Sequence, residues 1–245
     1  MTEGARRPVF AGLVTAAGAS TRVGGLKKEY RAFSSDDAGT LSVLGASVSV
    51  LADSGAVDVI VVSVPPRGEA EARAALPARL LERNAAPPVL FVEGGPSRRR
   101  SVHNALRFLA RRFPVDYVLI HDGARPWLDE ALVLRLAAEV LSAEAVIPVM
   151  PLVETPKEID ASGSVTRHLR RASVVSAQTP QAFAFARALA AHESAAVQER
   201  ERGIEYTDDA EVWGAFQGPV RTIPGDPANK KITFPEDLPV VEARP

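Results

Sequence analysis

The chain has 245 residues, 46% of them hydrophobic and 24% charged, with 29 basic against 30 acidic side chains. That length accommodates one α/β domain with a substantial core, and a net charge of −1 is no footprint for nucleic acid, whose binding draws on many phosphate contacts. The absence of cysteine excludes a disulfide framework and thiolate chemistry, and the four histidines (His103, His121, His168, His192) show no metal-ligand spacing.

The basic pair Arg6 and Arg7 with the apolar residues after it faintly imitates a secretory signal. The preferred reading is a short leader feeding a buried strand over 9–15, because Gly18, Ser20, Arg22 and Gly24 follow at once as a loop. Further apolar runs at 57–64, 89–92, 117–120 and 145–149 are rich in Val, Ile and Leu without polar alternation. They predict strands covered on both faces of a mainly parallel sheet. Stretches 42–52, 68–83, 99–112 and 130–141 predict amphipathic helices between them. The alternation predicts a doubly wound α/β sandwich, whose ligands sit beyond the carboxyl ends of the strands.

Residues 151–171 lose this rhythm and carry turn signals at 160–163, which fits a projecting hairpin arm or an ordinary surface insertion equally. Beyond them, helices are expected over 181–201 and 208–216, strands over 220–223 and 231–234, and a last helix from Pro235 and Glu236. No apolar run reaches the ~18 residues needed to cross a bilayer. A soluble, cytoplasmic protein is expected.

Three loops carry chemistry. After the first strand comes Ala16-Ala17-Gly18-Ala19-Ser20-Thr21-Arg22, then Lys27-Lys28-Glu29. Small residues there let backbone N–H groups approach a phosphate, and Arg22 and Lys28 add positive charge. The spacing is neither a dinucleotide fingerprint nor a Walker A loop, and a glycine turn flanked by solvated charges is the bland alternative. Gly94-Gly95-Pro96-Ser97-Arg98-Arg99-Arg100-Ser101 leads into a helix, as an anion contact or as a cap with a solvated arginine run. His121-Asp122-Gly123-Ala124-Arg125-Pro126 closes the fourth strand. Asp122 can hold a metal or a ribose hydroxyl there and Arg125 a phosphate, against a structural Asp–Arg pair. His121 reads as a packed strand residue. Farther on, Thr207-Asp208-Asp209-Ala210 reads as a helix cap, and Asn229-Lys230-Lys231 sets lysines beside a late strand.

In this order, AAGASTR, GGPSRRRSV, HDGARP, AQTPQAF, YTDDA and NKKITFPEDL resemble the 2-C-methyl-D-erythritol 4-phosphate cytidylyltransferases across residues 16–238. The resemblance implies a single Rossmann-like domain over 1–245, with 151–171 as a dimerisation arm. It implies CTP and methylerythritol phosphate as substrates, Mg²⁺ on the triphosphate with Asp122 a possible ligand, a homodimer, and no nucleic-acid or membrane partner. By resemblance, Ala16, Ala17, Gly18, Gly95 and Ser101 belong to the CTP pocket, and Arg22 and Lys28 stabilise the transition state. Asp122, Arg125, Thr155, Arg171, Thr179 and Lys231 bind methylerythritol phosphate or complete the site. Thr155 and Arg171 reach from the arm into the partner's site.

Three segments depart from the family pattern. The usual Pro-Lys-Gln reads Lys27-Lys28-Glu29 in a loop one residue shorter, Ser20 stands where a second glycine is common, and Pro96 replaces an Asp. Matching Lys-Gln-Tyr to Lys28-Glu29-Tyr30 selects Lys28 as the catalytic lysine and leaves Lys27 solvated. A phosphate monoester is largely dianionic at neutral pH, its second pKa being about 6, so it is a nucleophile without a general base. That suits a chain with no evident Ser/His/Asp triad. Two alternatives remain at this point: a cytidylyltransferase for another polyol phosphate such as ribitol 5-phosphate, and a nucleotide-sensing protein without catalysis. Ala124 in HDGARP speaks against the first, and the retention of Arg22, Lys28, Asp122, Arg171 and Lys231 against the second.

Overall fold

The computed structural model describes residues 6–18, 27–36 and 39–239. In chain order the principal elements are β1 (Phe10–Thr15), β2 (Ala32–Asp36), β3 (Gly39–Ser42), α1 (Val43–Asp53), β4 (Val59–Val64), α2 (Glu69–Ala74), β5 (Val89–Glu93), α3 (Arg98–Ala110), β6 (Tyr117–Asp122) and α4 (Glu130–Ala143). Then follow β7 (Ala145–Pro151), β8 (Lys157–Ile159), β9 (Val165–His168), β10 (Val175–Ala177), β11 (Gln181–Ala184), α5 (Phe185–Arg202), α6 (Asp209–Phe216) and β12 (Arg221–Pro224).

The main sheet runs β10-β7-β11-β6-β1-β4-β5, with β12 paired to β7. The four strands β6, β1, β4 and β5 are parallel neighbours. Strand β11 is antiparallel to both β6 and β7, and β10 antiparallel to β7, whereas β12 is parallel to it. Successive side chains of a strand point to opposite faces, and here both faces are covered. On β1 and β4, Val14, Ile60 and Val62 pack with Leu44, Val48 and Leu51 of α1 and Leu132 and Leu136 of α4. Leu13, Val59 and Val61 pack on the other side with Leu106 and Leu109 of α3 and Trp213 of α6. That two-sided burial is why these strands read as continuous apolar runs.

The doubly wound reading stands, and several boundaries move. The predicted helix over 181–201 starts only at Phe185. Residues 181–184 form β11, because pairing with β6 and β7 outweighs the helical bias of an alanine-rich run. The predicted helix over 68–83 stops at Ala74, shortly before Pro77, and one 3₁₀ turn at Ala78–Leu80 follows. Residues 231–234 are not a strand: Ile232 is buried and donates its N–H to Ala124 O at 2.8 Å, while Lys231 reaches Asp122 and Thr233 and Phe234 donate to Asp237. The expected last helix is a single 3₁₀ turn, Pro235–Asp237. The β2–β3 hairpin and β10 were not foreseen.

Residues 151–171 do form a hairpin. Strands β8 and β9 pair antiparallel, and the turn between them is closed by Asp160, whose Oδ1 accepts from Ser162 N at 2.9 Å and Ser164 N at 3.0 Å. Among the described residues, no helix is long and apolar enough to cross a membrane.

Candidate active site

The chain reverses its course through the sheet beside β1, which lies between β6 and β4. This is the switch point at which open α/β sheets bind ligands. A cavity of about 730 Å³ opens there, walled by Ala17 and Gly18 after β1, Pro65 and Pro66 after β4, Gly94 to Arg98 after β5, and Asp122 at the end of β6.

Gly94 and Gly95 form its tightest wall. A Cβ on Gly94 would lie 2.3 Å from Ala17 Cβ and 2.8 Å from Ser101 Oγ, and one on Gly95 would lie 2.5 Å from Arg100 Cβ. Only glycine lets the turn press against the β1 loop and α3 together. Ser97 caps α3, its Oγ accepting from Arg100 N at 3.2 Å. Ser101 Oγ accepts from Gly95 N at 3.0 Å and donates to Ser97 O at 2.9 Å, which binds the turn to the helix. The positive end of α3 therefore borders the cavity, where an anion is stabilised.

Asp122 is buried, 6% exposed, among cations. Its Oδ1 lies 3.1 Å from Arg98 Nε, and its Oδ2 lies 2.8 Å from Lys231 Nζ and 3.7 Å from Arg125 Nε. Burial acts to raise the carboxyl, but Arg98, Lys231 and Arg125 outweigh it and hold it well below the usual carboxylate range. Arg98 also reaches backward, with Nη2 2.8 Å from Asp209 Oδ2. Burial would favour a neutral guanidinium, and Asp209 and Asp122 together overcome it.

Behind β6 a hydrogen-bond chain fixes this arrangement. Thr179 Oγ1 accepts from Asp122 N at 3.0 Å and meets His121 Nδ1 at 3.0 Å, while His121 Nε2 faces Arg125 O at 3.3 Å. A carbonyl can only accept, so Nε2 carries the proton and Nδ1 accepts from the Thr179 hydroxyl, a self-consistent neutral imidazole. Asn229 Nδ2 donates to Thr179 O at 2.8 Å, and Arg125 Nη1 donates to Asn229 O at 2.8 Å. The Gln178 amide donates to Asp226 O at 2.8 Å and accepts from Asp226 N at 3.0 Å. These bonds pin the segment that delivers Lys231 to Asp122.

The two adjacent lysines divide. Lys28 lines the cavity and donates from Nζ to Ile232 O at 2.7 Å. The expectation that Lys27 is solvated is overturned: its side chain is only 17% exposed. Its ammonium donates to Ala16 O and Gly18 O and lies 3.6 Å from Glu29 Oε2, so it clasps the β1 loop shut. Burial lowers its pKa, with Glu29 opposing.

Of the other expected site residues, Ala17, Gly18, Gly95, Ser101, Asp122 and Lys231 meet at the cavity. Ala16 is buried below it, its N–H donated to Ser63 O at 2.9 Å. Arg125 and Thr179 support the wall from behind. Thr155 and Arg171 are exposed on the arm, Arg171 Nη1 donating to Val153 O at 2.8 Å, and they do not reach this cavity. Arg22 lies outside the described residues. Sequence reasoning missed Arg98 and Asp209. Two signals could have found them: Ser97 as the cap puts Arg98 first in α3, and Asp208 as the cap, accepting from Glu211 N at 2.8 Å, frees Asp209 for another task.

The family model described as IspD, 2-C-methyl-D-erythritol 4-phosphate cytidylyltransferase, matches residues 10–244. The bifunctional enzyme IspD/IspF of Bartonella henselae is 35% identical over 232 residues, covering 94% of this chain and 55% of that protein. The 2-C-methyl-D-erythritol 4-phosphate cytidylyltransferase of Prochlorococcus marinus is 40% identical over 159 residues, 65% of this chain and 68% of that one. The crystal structure of 4-diphosphocytidyl-2C-methyl-D-erythritol synthase from Anaerococcus prevotii superposes with a TM-score of 0.74 at 27% identity, covering 94% of this chain and 95% of that one. The chain spans about half the length of the bifunctional relatives it matches.

The neutral His121 makes stability depend on pH. Burial pushes its pKa down to about 4, so below its ordinary value of about 6.5 the unfolded chain binds a proton that the folded one refuses. Stability is complete above pH 6.5 and declines toward pH 4 by up to about 1.4 kcal/mol per pH unit for this group. Asp122 adds its own loss only below the ordinary carboxylate range. Burial lowers His103 to about 4 as well, so urea unfolding at pH 7, 6 and 5 reads both groups, and a stability flat across those three values would mean that both are charged in the fold.

Proposed function

The chain belongs to the 2-C-methyl-D-erythritol 4-phosphate cytidylyltransferase family, and we propose that it transfers the cytidylyl group of CTP to methylerythritol phosphate, releasing pyrophosphate. The observation that carries this reading is one cavity with two faces: a glycine wall against the positive end of α3, and an ionised Asp122 among Arg98, Lys231 and Arg125. The first suits a nucleoside triphosphate and the second a phosphorylated polyol.

In this reaction an oxygen of the dianionic phosphate attacks the α-phosphorus of CTP in line. A new P–O bond forms as the bond to pyrophosphate breaks, and no proton has to be removed first. The protein supplies alignment and charge stabilisation. Ala16, Ala17, Gly18, Gly95 and Ser101 bring backbone and hydroxyl groups close to CTP, and Arg22 and Lys28 offset charge growing on the α-phosphoryl oxygens. Asp122 and Lys231 face the polyol phosphate, with Arg125 and Thr179 holding them.

Mg²⁺ is the metal this reading implies. Among the described residues no three His, Asp or Glu side chains gather; Asp122 and Glu29 are the carboxylates that line the cavity. That fits Mg²⁺, which is commonly held by one or two carboxylates together with substrate phosphates and waters. When bound, it neutralises triphosphate charge.

A homodimer belongs to the same reading. On and beside the arm, Val153, Ile159 and Val165 are 81%, 61% and 51% exposed, apolar side chains that one copy leaves uncovered. Their exposure supports an arm that packs on a second copy and lends it Thr155 and Arg171. The substrates are intracellular metabolites, which makes the cytoplasm the expected compartment.

Pyrophosphate release should be much faster with CTP and methylerythritol phosphate than with ATP, GTP or UTP. Equal or better turnover of ribitol 5-phosphate would overturn the assignment. Lys28→Ala should lose about 10²–10³-fold in kcat with a smaller change in CTP binding. Lys27→Ala, which opens the clasp on the loop, should chiefly raise the KM for CTP; exchanged phenotypes would move the catalytic lysine to Lys27. Light scattering at assay concentration should return a dimer, and a fully active monomer refutes the role of the arm.

A further inference from the structure

Asp209 takes part in none of the roles above, yet it is 2% exposed and directly contacts the catalytic cavity's wall through one side chain. Its place is fixed from several sides. It is the first residue of α6, which Asp208 caps. Gln181 of β11 accepts from Ala210 N at 2.9 Å and donates to Asp208 Oδ2 at 2.9 Å, so the sheet itself positions this turn. His192 Nε2 lies 3.4 Å from Asp209 Oδ1 on the far side.

Arg98 is shared between two carboxylates. Its Nε lies 3.1 Å from Asp122 Oδ1 and its Nη2 lies 2.8 Å from Asp209 Oδ2. A guanidinium left with one carboxylate closes on both of its oxygens, the bidentate arrangement that planar fork favours. On Asp122 that would take Oδ2, the oxygen Lys231 Nζ holds at 2.8 Å. We propose that Asp209 is a positioning residue for the transfer reaction: by holding one limb of Arg98 outside the cavity, it keeps Arg98 on a single oxygen of Asp122 and leaves the other to Lys231. The inference rests on the cytidylyl-transfer reading for its kinetic effect and on geometry alone for its structural one.

The test uses the full chain with CTP, methylerythritol phosphate and Mg²⁺. Asp209→Asn keeps shape and removes charge, and kcat should fall about 10- to 100-fold, by analogy with the loss seen when the partners that orient metal ligands are removed, while the KM for CTP stays within about threefold. Arg98→Lys should fall similarly, because a point charge cannot span both carboxylates. Arg98→Gln combined with Asp209→Asn should be no worse than Arg98→Gln alone, since the second change acts through the first. Additive losses, or an Asp209→Asn enzyme with kcat within twofold of wild type, would overturn the proposal in favour of a structural role. Should Asp209→Asn not fold, an unchanged kcat in Arg98→Lys overturns it by itself. A crystal structure of Asp209→Asn supplies a readout free of activity: Arg98 should close on both Asp122 oxygens and displace Lys231, and an unmoved Arg98 would overturn the proposal. Wild-type protein that releases no pyrophosphate defeats the functional reading, and the crystal structure still decides the inference.

Discussion

A carboxylate taken out of water is costly unless cations come to it, and Asp122 draws its three from three separate segments, one adjoining its own strand and two distant in the chain. Arg98 arrives on the first turn of α3, Arg125 on the loop after β6, and Lys231 on a segment near residue 230. Removing one partner of a buried ion pair typically costs 3–5 kcal/mol, because a charge is left uncompensated. Much of the local architecture follows from that constraint. Ser97 must cap α3 where it does for Arg98 to face β6, and Gln178 and Asn229 must grip the 226–231 segment for Lys231 to arrive.

The same economy governs the opposite wall. Ala17, Gly94 and Ser101 crowd until no Cβ fits between them, and Lys27 closes the β1 loop by bonding to its carbonyls. Lys28, one residue on, crosses to Ile232. Adjacent lysines thus tie one loop to itself and to the segment carrying Lys231. The strands contribute little side-chain chemistry beyond Asp122; their work is to hold loop ends in register.

How much of this was legible depended on whether a feature is local. The strands β1, β4, β5 and β6 are local in that sense: burial on both faces writes them as apolar runs. The cavity loops were legible as candidates, since small residues at the ends of these strands let backbone groups approach a ligand, although a plain glycine turn reads the same way. Strand β11 was not, because residues 181–184 are strand only by virtue of β6 and β7 on either side. Neither was Asp209, whose partner Arg98 lies more than a hundred positions earlier. Lys27 misled for a third reason: a lysine in place of a proline reads as a surface charge until carbonyls are seen to surround it.

The placement of β11 also orders events as the chain is made. Strands β6 and β7 are consecutive in the main sheet's sequence but not neighbours in space; a four-residue strand made some thirty residues later is inserted between them. Until it emerges, β6 is the open border of a nascent half-sheet, its backbone donors and acceptors unclaimed on that side. Such an uncovered border is a template for pairing with another chain, and β11 is the strand that covers it.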